Sequence, residues 1–298
     1  MPFHSRRRDV PALRASRSFH EKGRQMRRGT YATPWRILAP IALAVAVLVI
    51  WQLLSGTGAI STQFLPSPAA LAVRVAVELG HPTIWQHAAV TLTEAVLGTL
   101  LAALIALPLG YAVARVRAIS LAAMPYIIAS QAVPAIAIAP LLALWIGYGL
   151  PPIVLLCAVI AFFPMLITTI IGLRSLDREI VEAAVLDGAG WWPRLVHIEA
   201  PLAAPSVLAG VRAGAALSVT GAVVGEFTMG GQGLGMLLTL YRDAYDTEGL
   251  FAVLIVLVAL ALALFGLVGL IQRLLPRVEA PTGLEAARLS VSAKRSAQ

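Results

Sequence analysis

A chain of 298 residues that is 59% apolar and only 13% charged, with a mean hydropathy of +0.83, is not composed as a soluble enzyme or binding domain is. Soluble domains carry roughly 25% charged residues. The net charge of +8 and isoelectric point near 10.4 do not indicate nucleic acid, because the basic residues crowd the first 36 positions without interleaved aromatics, as retention at a membrane face requires.

Residues 1–34 carry Arg, Ser and Pro with no apolar period and are predicted to be a disordered basic cytoplasmic tail. Residues 35–54 form the first predicted span, an apolar run too long for a cleaved signal peptide. The chain is then mixed to residue 86. There "FLPSP" (64–68) opens a short amphipathic helix through Arg74 and Glu78, read as an external interfacial segment.

Five further spans are predicted within 87–275. The second, 87–114, has Thr91, Thr93 and Glu94 near its outer end and Pro108 near its inner end. The third, 120–146, is broken at "SQAVPAIAIAP", where Pro134 and Pro140 each remove a backbone donor. The turn "GYGLPP" leads to the fourth, 153–173, in which Cys157 stands alone. A lone Cys in an apolar run gives no disulfide or metal cluster and reads as a packed small hydrophobe. A polar insert at about 176–200 precedes the fifth span, 202–224. An outer loop with "MGGQGLG" and a sixth span at 250–270 follow, then a cytoplasmic C-terminal tail, 276–298.

Six spans put both termini on one side of the membrane. Apart from Arg212 inside the fifth span, every Arg and Lys but Arg74 and Arg242 falls in the two tails or at the span ends beside them (Arg36, Arg273), in the 115–117 turn or in the insert region. Both termini and the insert are therefore expected in the cytoplasm of a multi-pass inner (plasma) membrane protein.

The insert contains "EAAVLDGAGWWPRLVHIEAP" (182–201). Arg178, four residues before Glu182, is placed for a helical ion pair. Ala183 and Ala184 add little bulk, so another surface can approach closely. Gly188 and Gly190 are expected to let the backbone leave the helix at positive φ. Trp191, Trp192 and Pro193 suit a turn at headgroup level, and Pro201 and Pro205 suit the first turn of the next helix. Composition alone describes an ordinary interfacial loop. The spacing says more: Glu182-Ala183-Ala184, three residues, Gly188, nine residues, then Ile198, Glu199, Ala200 and Pro201.

That spacing resembles the EAA loop of the inner-membrane permeases of binding-protein-dependent ABC importers, over roughly residues 87–275. The one departure is Ala200, where the family pattern has Leu. The resemblance implies an all-α membrane protein of the type I ABC importer permease fold, with about six transmembrane helices. It implies that Glu182, Ala183, Ala184, Gly188, Ile198 and Pro201 belong to a coupling loop docked on a cytoplasmic ATPase. It implies as partners two ABC ATPase subunits, an external substrate-binding protein and a second permease copy. "QAVPAIAIAPLLALWIGYG" (131–149) and "GLRSLD" (172–177) resemble the permeases for nitrate, sulfonates and taurine. Relatives of those handle thiamine-precursor pyrimidines or riboflavin.

The chain has no nucleotide site of its own. A phosphate-cradling loop needs G-x-x-x-x-G-K-[ST], and the only lysines, Lys22 and Lys294, lie in the tails. ATP hydrolysis is thus assigned to a separate subunit, and no cofactor, catalytic residue or metal site is expected. A secondary transporter would show two similar halves and acids at the midplane, and a membrane enzyme would hold catalytic groups within spans, whereas His87 and His197 lie at span ends. Candidate pathway residues are Arg212 and Glu226 on one face of the fifth span, Gln131 and Pro134 on the broken third, and Thr168 and Thr169 on the fourth. Gly210-x-x-x-Gly214 and Gly221-x-x-x-Gly225 permit close helix contact, within the chain or with a second copy.

Overall fold

The computed structural model describes residues 33–57, 61 and 63–274; the predicted disordered N-terminal tail up to residue 32 and the C-terminal tail lie outside them. The chain divides into two units at residues 62 and 63. The first holds α1 (Thr33–Gly56), which contains the first predicted span.

The second unit opens with α2 (Pro68–Gly80). Ser67 caps it, its hydroxyl accepting from the Ala70 N–H at 3.2 Å, and Pro68 occupies a first-turn position where no donor is needed. Next come α3 (Pro82–Arg115), α4 (Arg117–Ser130), a 3-10 turn (Ala135–Ile138), α5 (Ala139–Ile146) and α6 (Leu150–Arg174). The predicted break in the third span is present: α4 and the segment from Ala135 meet at 88°. Pro134 is extended at ψ 110 and lacks the donor a continuing helix would use.

The insert forms α7 (Arg178–Leu186) and α8 (Trp191–Arg194). A π turn (Leu195–Glu199), α9 (Ala200–Met229), α10 (Leu234–Asp243) and α11 (Thr247–Leu274) complete the unit. Five helices are long and apolar enough to cross a membrane, six if the bent pair counts as one span, and no strand occurs among the described residues. The protein is an all-α membrane protein.

Two expectations are revised here. Pro201 does sit in the first turn of α9, but no loop precedes it: the helical path is continuous from Trp191 to Met229, and Pro205 lies inside α9. The π turn accommodates Pro201, since the wider turn carries an Ala200 N–H to Leu195 C=O bond and relieves the ring's clash with the carbonyl four residues back. The outer loop with "MGGQGLG" is also half helical, because α10 follows it at once.

α6 is the axis of the packing, with α3 on one side and α9 on the other. Glycines on both neighbours make this approach possible. A Cβ at Gly98 on α3 would overlap the Cβ of Cys157, and one at Gly221 on α9 would lie 2.9 Å from the Cys157 Cα. Gly110 receives Thr169, Gly210 receives Thr168, Gly214 receives Met165 and Gly225 receives Ile153. The glycine stripe of α9 is therefore spent on α6 of the same chain. Cys157 has no exposed surface and packs as the small hydrophobe expected.

Candidate functional site

The polar insert is built from local rules. Asp177 caps α7, its carboxylate accepting from the Glu179 N–H at 3.0 Å, and Glu179 itself sits in the first turn, where the helix dipole favours an acid. Arg178 and Glu182 form the anticipated pair at 2.7 Å, but both side chains are exposed, so it contributes little. At the other end Gly188 adopts φ 82. Its N–H bonds Val185 C=O at 3.0 Å, and the Ala189 N–H bonds Ala184 C=O at 3.0 Å. This is a complete Schellman termination, the exit expected for Gly188. Gly190 departs from expectation: at φ −64 and ψ 173 it is extended and starts α8.

The surface of α7 also differs from a simple Glu-Ala-Ala face. Glu182 and Ala183 are exposed, whereas Ala184 is 8% exposed and turned inward. Leu186, 87% exposed, is the projecting apolar group, with Val185 beside it. Trp191 and Trp192 are exposed, edge to face at 5.3 Å, on a helical turn rather than a loop. Composition did not point to Leu186, yet an exposed leucine at the end of a short amphipathic helix is the signal that marks it.

Where the insert joins the bundle, Glu199 is completely buried. Its Oε1 lies 3.1 Å from Arg115 Nη2 on α3 and 3.1 Å from Arg194 Nε on α8. The charges face each other without an aligned hydrogen bond. Ile198, partly buried, and Pro201 flank this triad. The π turn contributes directly, because a five-residue spacing aligns Arg194 with Glu199 there. Glu199 was no more than a spacer in the sequence pattern, and here it ties the insert to α3.

The candidate pathway residues do not converge. Gln131 and Pro134 are exposed at the bend, and Gln131 borders an apolar groove of about 480 Å³ between α4 and α6. Thr168 and Thr169 bond back to Pro164 and Met165 C=O at 2.7 and 2.6 Å, and Thr169 is 3% exposed. They fill glycine notches. The guanidinium of Arg212 stacks 4.0 Å from the Phe265 ring on α11, beside Gly269.

Glu226 is buried near the far end of α9. The Thr91 hydroxyl donates to its Oε1 at 2.6 Å, the Gly235 N–H donates to its Oε2, and the Leu234 N–H donates to the Thr91 oxygen at 2.8 Å. Glu226 thus binds α3 and the start of α10 to α9. On the same side of the bundle Arg74 meets Glu78 at 3.1 Å and Asp246 at 2.7 Å, and the Tyr241 hydroxyl donates to Glu78 Oε1 at 2.7 Å.

Residues 106–279 match the family described as "Binding-protein-dependent transport system inner membrane component". The riboflavin transport system permease protein of Chloroflexus aurantiacus is 45% identical over 249 residues, covering 83% of this chain and 92% of its own. A putative aliphatic sulfonates transport permease protein of Escherichia coli is 31% identical over 242 residues, covering 80% of this chain and 89% of its own. Among solved structures, the inward-facing MetNI methionine ABC transporter contains a chain that superposes with a TM-score of 0.59 at 18% identity. It covers 64% of this chain and 94% of its own, a likeness of fold.

Proposed function

This chain belongs to the family of inner membrane components of binding-protein-dependent transport systems, and from that membership we propose that it forms half of the solute pathway of an ATP-driven importer. It is a multi-pass membrane permease and not itself a catalyst. Two copies, or this chain and a similar permease, enclose the pathway; two separate ATPase subunits supply energy; an external binding protein delivers the solute. The distribution of Arg and Lys supports placing both termini and α7 in the cytoplasm.

The observation that carries this reading is α7, a capped, exposed helix held between two membrane helices. Glu182, Ala183 and Leu186 present its docking face, and Gly188 sets the chain's exit. Closure of the ATPase pair displaces α7. The continuous helix from Trp191 and the clamp of Glu199 on Arg115 carry that displacement to α9 and α3.

For the solute, both a nitrate-, sulfonate- or taurine-like anion and a flavin or pyrimidine heterocycle are consistent with the family. The 45% identity to a riboflavin permease, against 31% to a sulfonate permease, favours the heterocycle. The test of the machinery is reconstitution of the chain with an ATPase subunit and binding protein in proteoliposomes. ATP-dependent uptake is expected from the assembly alone, and uptake by the isolated chain refutes the reading.

A further inference from the structure

Between α9 and the last turns of α11 lies a small polar pocket of about 260 Å³, lined by Arg212, Gly266, Gly269, Leu270 and Arg273. Two cations and no acid form its wall. Glycines make the recess. A Cβ at Gly269 would lie 2.9 Å from Arg212 Cζ, so its absence lets the guanidinium settle against α11. A Cβ at Gly266 would meet nothing within 4 Å, which leaves the space beside that cation open. Phe265 covers the guanidinium at 4.0 Å, but its Nε is buried without a partner. Among the described residues the side chains of Arg212 and Arg273 make no ion pair and no hydrogen bond. A guanidinium inside a membrane span is costly unless an anion or water meets it.

We propose that this pocket holds the phosphate of an anionic phospholipid of the cytoplasmic leaflet, with Arg212 and Arg273 as its cationic contacts. Guanidinium groups present N–H donors in a fork that matches phosphate oxygens. The depth suits a lipid better than a free ion. Arg273 closes the apolar span Thr247–Arg273, at the level of the headgroups, and Arg212 meets α11 at Gly269, about 6 Å further in. Leu270 on the rim and Leu262, one turn beyond Gly266 on the same face, are exposed and offer a track for an acyl chain. Basic recesses between membrane helices on the cytoplasmic side take anionic headgroups. A choline lipid carries its own ammonium group toward the same two cations and fits less well. The site is independent of which solute is carried and uses only the cytoplasmic placement of the C-terminal end proposed above.

The test uses the full chain, freed of lipid in mild detergent, with retained lipid counted by native mass spectrometry. Phosphatidylglycerol and phosphatidylcholine with identical acyl chains are the lipid probes; inorganic phosphate and ethanesulfonate are the free anions. Phosphatidylglycerol is expected to bind more tightly than phosphatidylcholine. Arg273→Gln is expected to weaken it about fivefold, the worth of one basic residue near the membrane surface. Gly266→Leu keeps both cations but fills the open space, and is expected to remove the preference between the two lipids. Both changes lie at exposed positions near the end of α11, so the fold is expected to survive them. Equal retention of the two lipids by the parent, or an undiminished preference in either variant, overturns the assignment. Displacement of phosphatidylglycerol by phosphate or ethanesulfonate at equal concentration also overturns it, in favour of a site for small anions.

Discussion

Nη2 of Arg115 on α3 lies 3.1 Å from Oε1 of Glu199, a carboxylate with no exposed surface at the root of the polar insert. Removing one partner of a buried ion pair strands the other charge. Glu199→Ala is therefore expected to cost about 3 kcal/mol, the low end for such a loss because Arg115 and Arg194 stay 24% and 23% exposed. Thermal unfolding in detergent measures it, and a double-mutant cycle with Arg115→Ala isolates the pair. An unchanged melting temperature for Glu199→Ala removes the clamp from the account.

Gly188 owes its place to conformation and not to crowding, since nothing lies within 4 Å of where its Cβ would be. An L-residue at φ 82 costs about 1–2 kcal/mol, less for Asn, which visits this region more readily. Gly188→Val is expected to reduce co-purification of the ATPase while membrane insertion persists, and Gly188→Asn to retain most of it. Equal capture by both variants and the parent contradicts the assigned exit.

The contact of Gly98 with Cys157 leaves no room for a methyl group. Gly98→Ala is expected to destabilise by about 1–3 kcal/mol through overpacking. Cys157→Gly removes the overlapping Cβ, so the double variant Gly98→Ala/Cys157→Gly should unfold less readily than Gly98→Ala alone. Strict additivity of the two changes refutes the contact.

Arg212 stacks on Phe265, an interaction of about 0.5–2 kcal/mol. If that stack is its role, Arg212→Gln and Phe265→Leu lower the melting temperature alike, and uptake falls only as far as folded protein is lost. Loss of uptake by Arg212→Gln at an unchanged melting temperature instead returns Arg212 to the pathway.

Burial, followed by the hydrogen bond and negative charge of Glu78, raises the Tyr241 phenol above its ordinary range, with Arg74 opposing. A folded-state pKa above the unfolded value means the native state holds its proton longer. The stabilisation is complete below about pH 10 and is lost as the pH rises through the folded value. Tyr241→Phe is expected to abolish this alkaline loss and to cost about 1 kcal/mol at neutral pH, from the missing hydrogen bond. Identical alkaline limbs for parent and variant would exclude Tyr241 as its source.

The membrane helices were legible because about 20 apolar residues leave few alternatives, and the broken span because Pro134 removes a donor. α7 was legible through its spacing, down to the positive φ of Gly188. The start of α8 was not. Trp-Trp-Pro reads as a turn, yet a proline third in a helix forfeits only an N–H that has no intrahelical partner. α10 was hidden by its ten-residue length behind closely spaced glycines. Glu199 and Glu226 were beyond reach for another reason. Their environments depend on residues distant in sequence, Arg115 for one and Thr91 for the other, and no periodicity reports such meetings.

The π turn at Leu195–Glu199 sets the azimuth of the insert. A π turn holds one residue more than the α-helical path it replaces, and each residue rotates a helix by about 100°. Deleting a single residue there would restore a regular helix and swing α7, with Leu186 and the tryptophan pair, by about a quarter turn around the axis of α9. Most contacts inside the bundle would survive, but the proposed docking face would point elsewhere. On that proposal, the bearing at which the permease meets an ATPase is written in a residue count rather than in any one side chain.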